Sequence, residues 1–227
     1  MRFVLALFAA VGSLGAPNQV PVAPLICIDP GHEKTPDLSL ERIGPGSSTY
    51  KIKDGGGARG EAVVALQIGF KLRRLLRERG YRVAMTRTTD EFSYGNGGNI
   101  ARAKFCNERH AALMVRIHAD GSTDQSRHGL STLYPAWHAG WTADILPQSY
   151  RAAVLVQRKV LATTGALDLG LVKRADLTGF NWANVPAILI ETGFMSNPTE
   201  GRRLQQDWYQ WKVARGLARA SAAFAPF

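Results

Sequence analysis

Acidic residues are scarce in this chain: 18 Asp and Glu stand against 28 Lys and Arg in 227 residues, a formal net charge of +10. Such an excess points to anionic partners (wall polymers, membrane surfaces or nucleic acid) without choosing among them. Cysteine is nearly absent. Neither Cys27 nor Cys106 lies in a segment resembling a nucleophile motif, which sets cysteine catalysis aside. Beyond the N-terminus no apolar run is long enough to span a bilayer, so no transmembrane segment is expected. There is no P-loop, nucleotide fingerprint or nucleic-acid recognition motif, which leaves charge alone to argue for nucleic acid. Internal repeats, heptads and an inter-domain linker are also missing. At this length, one catalytic-size domain is expected to fill residues 25–227.

The first 24 residues read differently. Met1-Arg2 precedes the apolar stretch 3–11, and Gly12, Ser13, Gly15 and Ala16 follow it. A charged start, a short apolar core and a run of small residues make a secretory signal peptide, followed by an irregular mature N-terminus. The protein is therefore expected to be exported, to the periplasm, the wall or the medium, and to be a monomer. An exported chain with an even pair of cysteines predicts a disulfide between Cys27, in the first strand, and Cys106, near the end of a helix that packs on the sheet. The alternative is two separate buried thiols.

Strands are predicted over 25–29, 82–86, 113–118, 129–134, 171–174 and 187–191, and helices over 61–79, 99–109, 149–164 and 198–223. The alternation predicts an α/β fold, a single domain with a mostly parallel twisted sheet and helices on both faces. Residues 33–60, with Gly55-Gly56-Gly57, form a long connection of the kind that is usually functional or disordered.

Four polar residues stand where such a sheet places its chemistry, at or beside the C-terminal ends of buried strands. His32 follows Asp29-Pro30-Gly31, whose turn projects it into a crevice, with Asp29 near enough to fix its tautomer. His118 ends an apolar run and precedes Ala119-Asp120-Gly121. Glu191 follows Ala-Ile-Leu-Ile, where a carboxylate is costly to bury unless it is paired or near a metal; residues 192–197 are expected to turn. Glu61 opens the first long helix, where the helix dipole alone would favour an acid. Two imidazoles and a carboxylate suit Zn²⁺, and a second carboxylate can serve as base.

These segments, Ile28 to His32, Glu61 at a helix start, Ile117 to Asp120 and Glu191 to Asn197, resemble in order and context the zinc-dependent N-acetylmuramoyl-L-alanine amidases, bacterial cell-wall hydrolases of the amidase-3 type. The likeness runs from about residue 25 to 220 and includes the strand end at Met85-Thr86-Arg87 and Asn184 to Ala187. The resemblance implies Zn²⁺ held by His32, Glu61 and His118, catalysis by Glu191, and peptidoglycan or muramyl peptides as partners. The bond cut would join N-acetylmuramic acid to L-alanine. Arg87 is either a substrate contact or part of a structural salt bridge, Lys173 and Arg174 are candidate substrate contacts, and His110, His128 and His138 read as surface or loop residues, with His128 still placed to touch substrate. The interval from His32 to Glu61 is longer than is common in that family, and residues 37–57 are expected to form a hairpin or flap at the groove. Arg116 stands where a small residue is common, on His118's side of its strand. Lys71, Arg73, Arg74, Arg77 and Arg79 are either a solvated helix face or an attachment surface for anionic wall polymers. Three other readings remain: a zinc peptidase acting on another amide, a catalytically inactive wall-binding relative, and nucleic-acid binding, which conflicts with export.

Overall fold

The computed structural model describes residues 22–227 apart from 93, 95 and 96; the signal-peptide segment therefore lies largely outside the described residues. Among the described residues, eight strands and six helices follow one another as β1 (Leu25–Pro30), β2 (Asp37–Arg42), β3 (Tyr50–Asp54), α1 (Glu61–Arg77), β4 (Arg82–Met85), α2 (Gly98–Asn107), β5 (Leu113–Asp120), β6 (Leu130–Pro135), α3 (Leu146–Thr164), β7 (Asp168–Arg174), α4 (Thr178–Asn181), β8 (Ala187–Phe194), α5 (Pro198–Leu204) and α6 (Asp207–Phe224). Six strands form one sheet in the order β4-β1-β5-β8-β6-β7. The first four are parallel, and β6 runs antiparallel to β8 and parallel to β7.

The central strands are apolar because both their faces are covered. Ile26, Ile28, Val115, Ile117, Ile188 and Ile190 pack against α1, α3 and α6. Cys27, Met114 and Leu189 point the other way, toward Cys106 of α2 and Phe180 of α4. The period of two then puts Asp29, Arg116, His118 and Glu191 on the α2/α4 face. That face carries only short helices, which leaves its C-terminal strand ends open to a site. Among the described residues no helix is long and apolar enough to cross a membrane.

Residues 37–57 do contain a hairpin. Strands β2 and β3 pair antiparallel as a separate two-stranded sheet, and the hairpin is docked on the domain. Buried Glu41 accepts hydrogen bonds from the Asn99 and Ile100 backbone N–H groups at the start of α2 and from Asn99 Nδ2. On the other side, Asn181 Nδ2 donates to Ile43 O and Trp182 Nε1 to Arg42 O. Two further details differ from the sequence-based expectation. Strand β8 does not turn after Glu191 but continues to Phe194, because a register shift lets it follow β5 as far as Asp120, while Thr192 Oγ1 donates to His118 O. The four-residue helix α4 is too short to carry a periodic signal.

Cys27 and Cys106 form a disulfide, closing a loop across 79 positions and fastening α2 to β1, with both residues fully buried. Replacing both cysteines with alanine is expected to lower unfolding free energy by roughly 2–4 kcal/mol. Chemical denaturation of the double variant and the parent measures the difference; equal midpoints and slopes would show that the bridge adds nothing.

Candidate active site

At the end of β1, Gly31 donates its N–H to Ile117 O, and His32 follows with φ 55°. A side chain at residue 31 would collide with the His118 ring, because a Cβ there would lie 2.3 Å from its Cε1. Gly31 thus lets the two histidines approach, with ring centroids 4.8 Å apart and planes at 81°. Gly57 makes a second close approach: a Cβ there would lie 2.4 Å from Glu61 Oε2 and 2.5 Å from His32 Cδ2, and its φ of 63° favours glycine as well.

Glu61 sits between the rings. Its Oε1 lies 3.1 Å from His32 Nε2 and 3.0 Å from His118 Nδ1. The carboxylate also accepts hydrogen bonds from the backbone of Ala119 at 3.1 Å and Ala58 at 2.8 Å, so its place is fixed at the first turn of α1. His32, Glu61 and His118 are the one group of three among the described residues whose donor atoms could hold a metal ion, all lying within 4.8 Å of one another. Burial pushes Glu61 up, but the two histidines outweigh it and hold the carboxyl well below its usual range. Burial also works against a charged His32, yet Asp54 and Glu61 raise its pKa to about 9. His118, more deeply enclosed, is lowered by burial.

The group that orients His32 is Asp54, at the end of β3, rather than Asp29. His32 Nδ1 lies 2.5 Å from Asp54 Oδ1. Asp29 is committed elsewhere: fully buried, it accepts from Arg102 Nη1 at 2.7 Å, Arg116 Nε at 2.8 Å and Thr86 Oγ1 at 2.6 Å. Burial would push the Asp29 carboxyl up, but Arg102 and Arg116 hold it well below the usual range. This accounts for Arg116. It does lie on His118's side of β5, but its guanidinium is spent on Asp29 and on Asn99 Oδ1, while a Cβ at Gly179 would meet its Nη1 at 2.2 Å. No sequence signal singled out Asp54; its position before the triple glycine was legible, but its partner was not.

Half-buried Glu191 faces the metal-capable group from β8, paired in register with His118. Its Oε2 and His118 Nε2 are buried without hydrogen-bond partners. Burial, reinforced by Glu61 and Asp120, pushes its pKa well above the ordinary carboxylate value. A cavity of about 350 Å³ opens here, lined by His32, Glu61, His118, Asp120, Gly121 and Glu191. A second, of about 190 Å³, shares His32 and His118 and extends under the hairpin past Asp54, Lys51 and Leu177.

The candidate substrate contacts fare unequally. Arg87 is buried and donates to the carbonyls of Pro30, Gly31, Ala62 and Thr89, so it braces the β1 turn and is not free to receive a substrate carboxylate. Arg174 is bonded to Asp176 through two nitrogens at 2.6 Å, and its charge reaches Glu191. Lys173 is exposed on β7. His110, His128 and His138 are surface residues away from the group, with His138 stacked on Trp141 at 3.5 Å.

The sequence profile of the N-acetylmuramoyl-L-alanine amidase family matches residues 26–222. The chain belongs to this family. An N-acetylmuramoyl-L-alanine amidase of Mycobacterium tuberculosis is 29% identical over 218 residues, covering 88% of this chain and 86% of that protein. A germination-specific N-acetylmuramoyl-L-alanine amidase of Bacillus subtilis is 29% identical, covering 85% of this chain and 76% of its own length. The crystal structure of the N-acetylmuramyl-L-alanine amidase Ami1 of Mycobacterium smegmatis superposes with a TM-score of 0.78 at 25% identity, covering 91% of this chain and 99% of that one. The single α/β domain is thus the amidase domain seen in these relatives.

Because a Cβ at residue 31 would meet the His118 ring, Gly31→Ala is expected to displace that ring and to weaken by about tenfold or more whatever divalent cation the group of three can hold, while the domain stays folded. Titration with Zn²⁺ alongside circular dichroism checks this; unchanged affinity in a folded variant would contradict the contact.

Proposed function

We propose that this chain is a zinc-dependent hydrolase of the amide between N-acetylmuramic acid and L-alanine in peptidoglycan or its fragments, acting outside the cytoplasm as an exported, monomeric enzyme. The observation that carries the reading is the meeting of His32, Glu61 and His118 opposite Glu191 in a solvent-open cavity. Family membership and the relatives' amidase names supply the substrate class.

The donor set fits zinc. Two imidazoles and a carboxylate are the ligands of many catalytic zinc sites, which leave one position for water or substrate. The buried, unpartnered His118 Nε2 and Glu191 Oε2 mark a polar interior that its own side chains do not satisfy. Zinc held by His32, Glu61 and His118 would supply Lewis acidity toward water and toward an amide carbonyl. Glu191 then does the proton work. It takes a proton from the attacking water as the oxygen adds to the carbonyl carbon. It returns that proton to the nitrogen as the C–N bond breaks, giving a free L-alanine amine and a lactyl carboxyl group that keeps the water's second proton until it ionises. A pKa raised by burial, Glu61 and Asp120 suits a carboxyl group that must both accept and donate a proton. Arg174 and Lys173 on β7 are available to anionic groups of the stem peptide, Arg174 only by sharing its bond with Asp176.

Glu191→Gln is expected to keep zinc and lose about 10²–10⁴-fold in turnover. The assay is digestion of purified peptidoglycan and of muramyl peptides with mass spectrometry of the products. Free stem peptides beginning at L-alanine support the amidase; cleavage only within peptides would identify a peptidase, and near-normal turnover by the variant would remove Glu191 from its role.

Zinc must displace the proton held on metal-free His32, whose pKa is raised from 6.5 to about 9. Below about pH 9 that proton competes with the metal, so apparent affinity should rise with pH, by up to about tenfold per unit, and level off above about 9. Calorimetric titrations in buffers of different ionisation enthalpy measure the proton released; affinity that is flat between pH 6 and 9 would contradict the linkage.

A further inference from the structure

Building on the zinc reading, the geometry points to the β2–β3 hairpin as a working part of the metal centre: Asp54 is a positioning residue that fixes His32 in the tautomer and orientation presenting Nε2 to the cation.

Asp54 Oδ1 faces His32 Nδ1 at 2.5 Å, while Nε2 on the opposite edge of the ring faces Glu61, so one imidazole is held from both sides. A carboxylate can only accept a hydrogen bond. In metal-free protein both ring nitrogens can donate, Nδ1 to Asp54 and Nε2 to Glu61; once a cation takes the Nε2 proton's place, the remaining hydrogen belongs on the shorter, 2.5 Å contact at Nδ1, which leaves the Nε2 lone pair for the metal. Asp54 is itself immobilised. Its Oδ1 accepts from Gly56 N at 2.8 Å and its Oδ2 from Glu33 N at 3.0 Å, with the side chain only 11% exposed. The nearby acids cannot take its place. Glu33 is bonded to Arg102 and to the Phe92 backbone, and Asp37 is paired with Lys53. His32 also has a left-handed backbone, which only its surroundings can impose on a non-glycine residue. Two tethers from flanking elements, Asp54 from the hairpin and Glu61 from α1, supply that constraint.

The hairpin can impose this order because it is docked. Glu41 of β2 caps the start of α2, Lys51 of β3 donates to Asp176 O at 3.1 Å, and Asn181 at the end of α4 and Trp182 just after it donate to Ile43 O and Arg42 O at the end of β2. Residues 37–57 are a clamp that closes on the metal site from outside the main sheet.

The test is zinc affinity, measured by competition with a chromogenic chelator on the purified full chain, together with ¹⁵N-resolved NMR of the histidine rings. Asp54→Ala should weaken zinc about 10–100-fold with the domain still folded. Asp54→Asn keeps an oxygen for His32 and should fall between parent and Asp54→Ala. In the zinc-loaded parent, His32 should show a protonated Nδ1 and a metal-bound Nε2. Affinity of folded Asp54→Ala within twofold of the parent overturns the proposal. So does a His32 bound through Nδ1, a readout on the parent that holds even if the variants fail to fold. A parent chain that binds no zinc rejects the metal reading itself and this role with it, and so is distinguishable from an Asp54 that merely has no effect.

Discussion

One oxygen of Glu61 meets a nitrogen of His32 at 3.1 Å and a nitrogen of His118 at 3.0 Å, and the architecture is arranged around that meeting. The three residues come from the end of β1, the start of α1 and the end of β5. They can converge only because β1 and β5 are adjacent and parallel, and because α1 returns across the opposite sheet face to begin beside both strand ends. Enclosing these groups together is electrostatically demanding, since each polar atom taken from water needs a partner. The backbone of Ala58 and Ala119, the Asp54 carboxylate and the absence of side chains at Gly31 and Gly57 meet that demand in part. What remains unsatisfied, at His118 Nε2 and Glu191 Oε2, lies in or beside the cavity where chemistry is proposed.

Beneath this group lies a layer of buried charges. Asp29, Arg102 and Arg116 form a buried charged cluster that joins β1, β5 and α2, extends through Asn99 to Glu41 of the hairpin, and reaches back to His32 O through Arg102. Such a cluster is weak as a source of stability, because desolvation offsets much of the attraction, but removing one member leaves a buried charge unpaired. Its effect is geometric: it sets where the β1 turn, the start of α2 and the hairpin stand relative to one another. Arg87 does similar work from just beyond the end of β4, donating to both Pro30 and Gly31. Arg87, a candidate substrate contact from the sequence, and Arg116, noted only for lying on His118's side of β5, both donate to internal acceptors.

How much of this was legible in the sequence follows from the range of each interaction. The buried strands announced themselves as the apolar runs before Asp29, His118 and Glu191, and α1 through Val64, Ile68, Leu72 and Leu76 at helical spacing, because those patterns depend on local periodicity and burial. The four polar residues were legible because each terminates such a run or opens such a helix. Asp54 was not, since its partner lies 22 residues away and the hairpin that carries it leaves Leu38, Leu40, Tyr50 and Ile52 exposed rather than burying them in the core. Asp29 was assigned to His32 for the mirror reason: it is near in sequence, yet strand alternation aims it into the α2 face, where Arg102 and Arg116 wait. The extension of β8 past Glu191 likewise depended on a register shift against β5 that only the paired strands reveal.

The central claim is that His32, Glu61 and His118 together hold the catalytic cation. Anomalous scattering at the zinc absorption edge, from crystals of the zinc-loaded full chain, tests it most directly. A single strong peak is expected within bonding distance of all three side chains, with Glu191 facing it across the cavity. A peak coordinated elsewhere, or none at this group in protein shown to contain zinc, would contradict it.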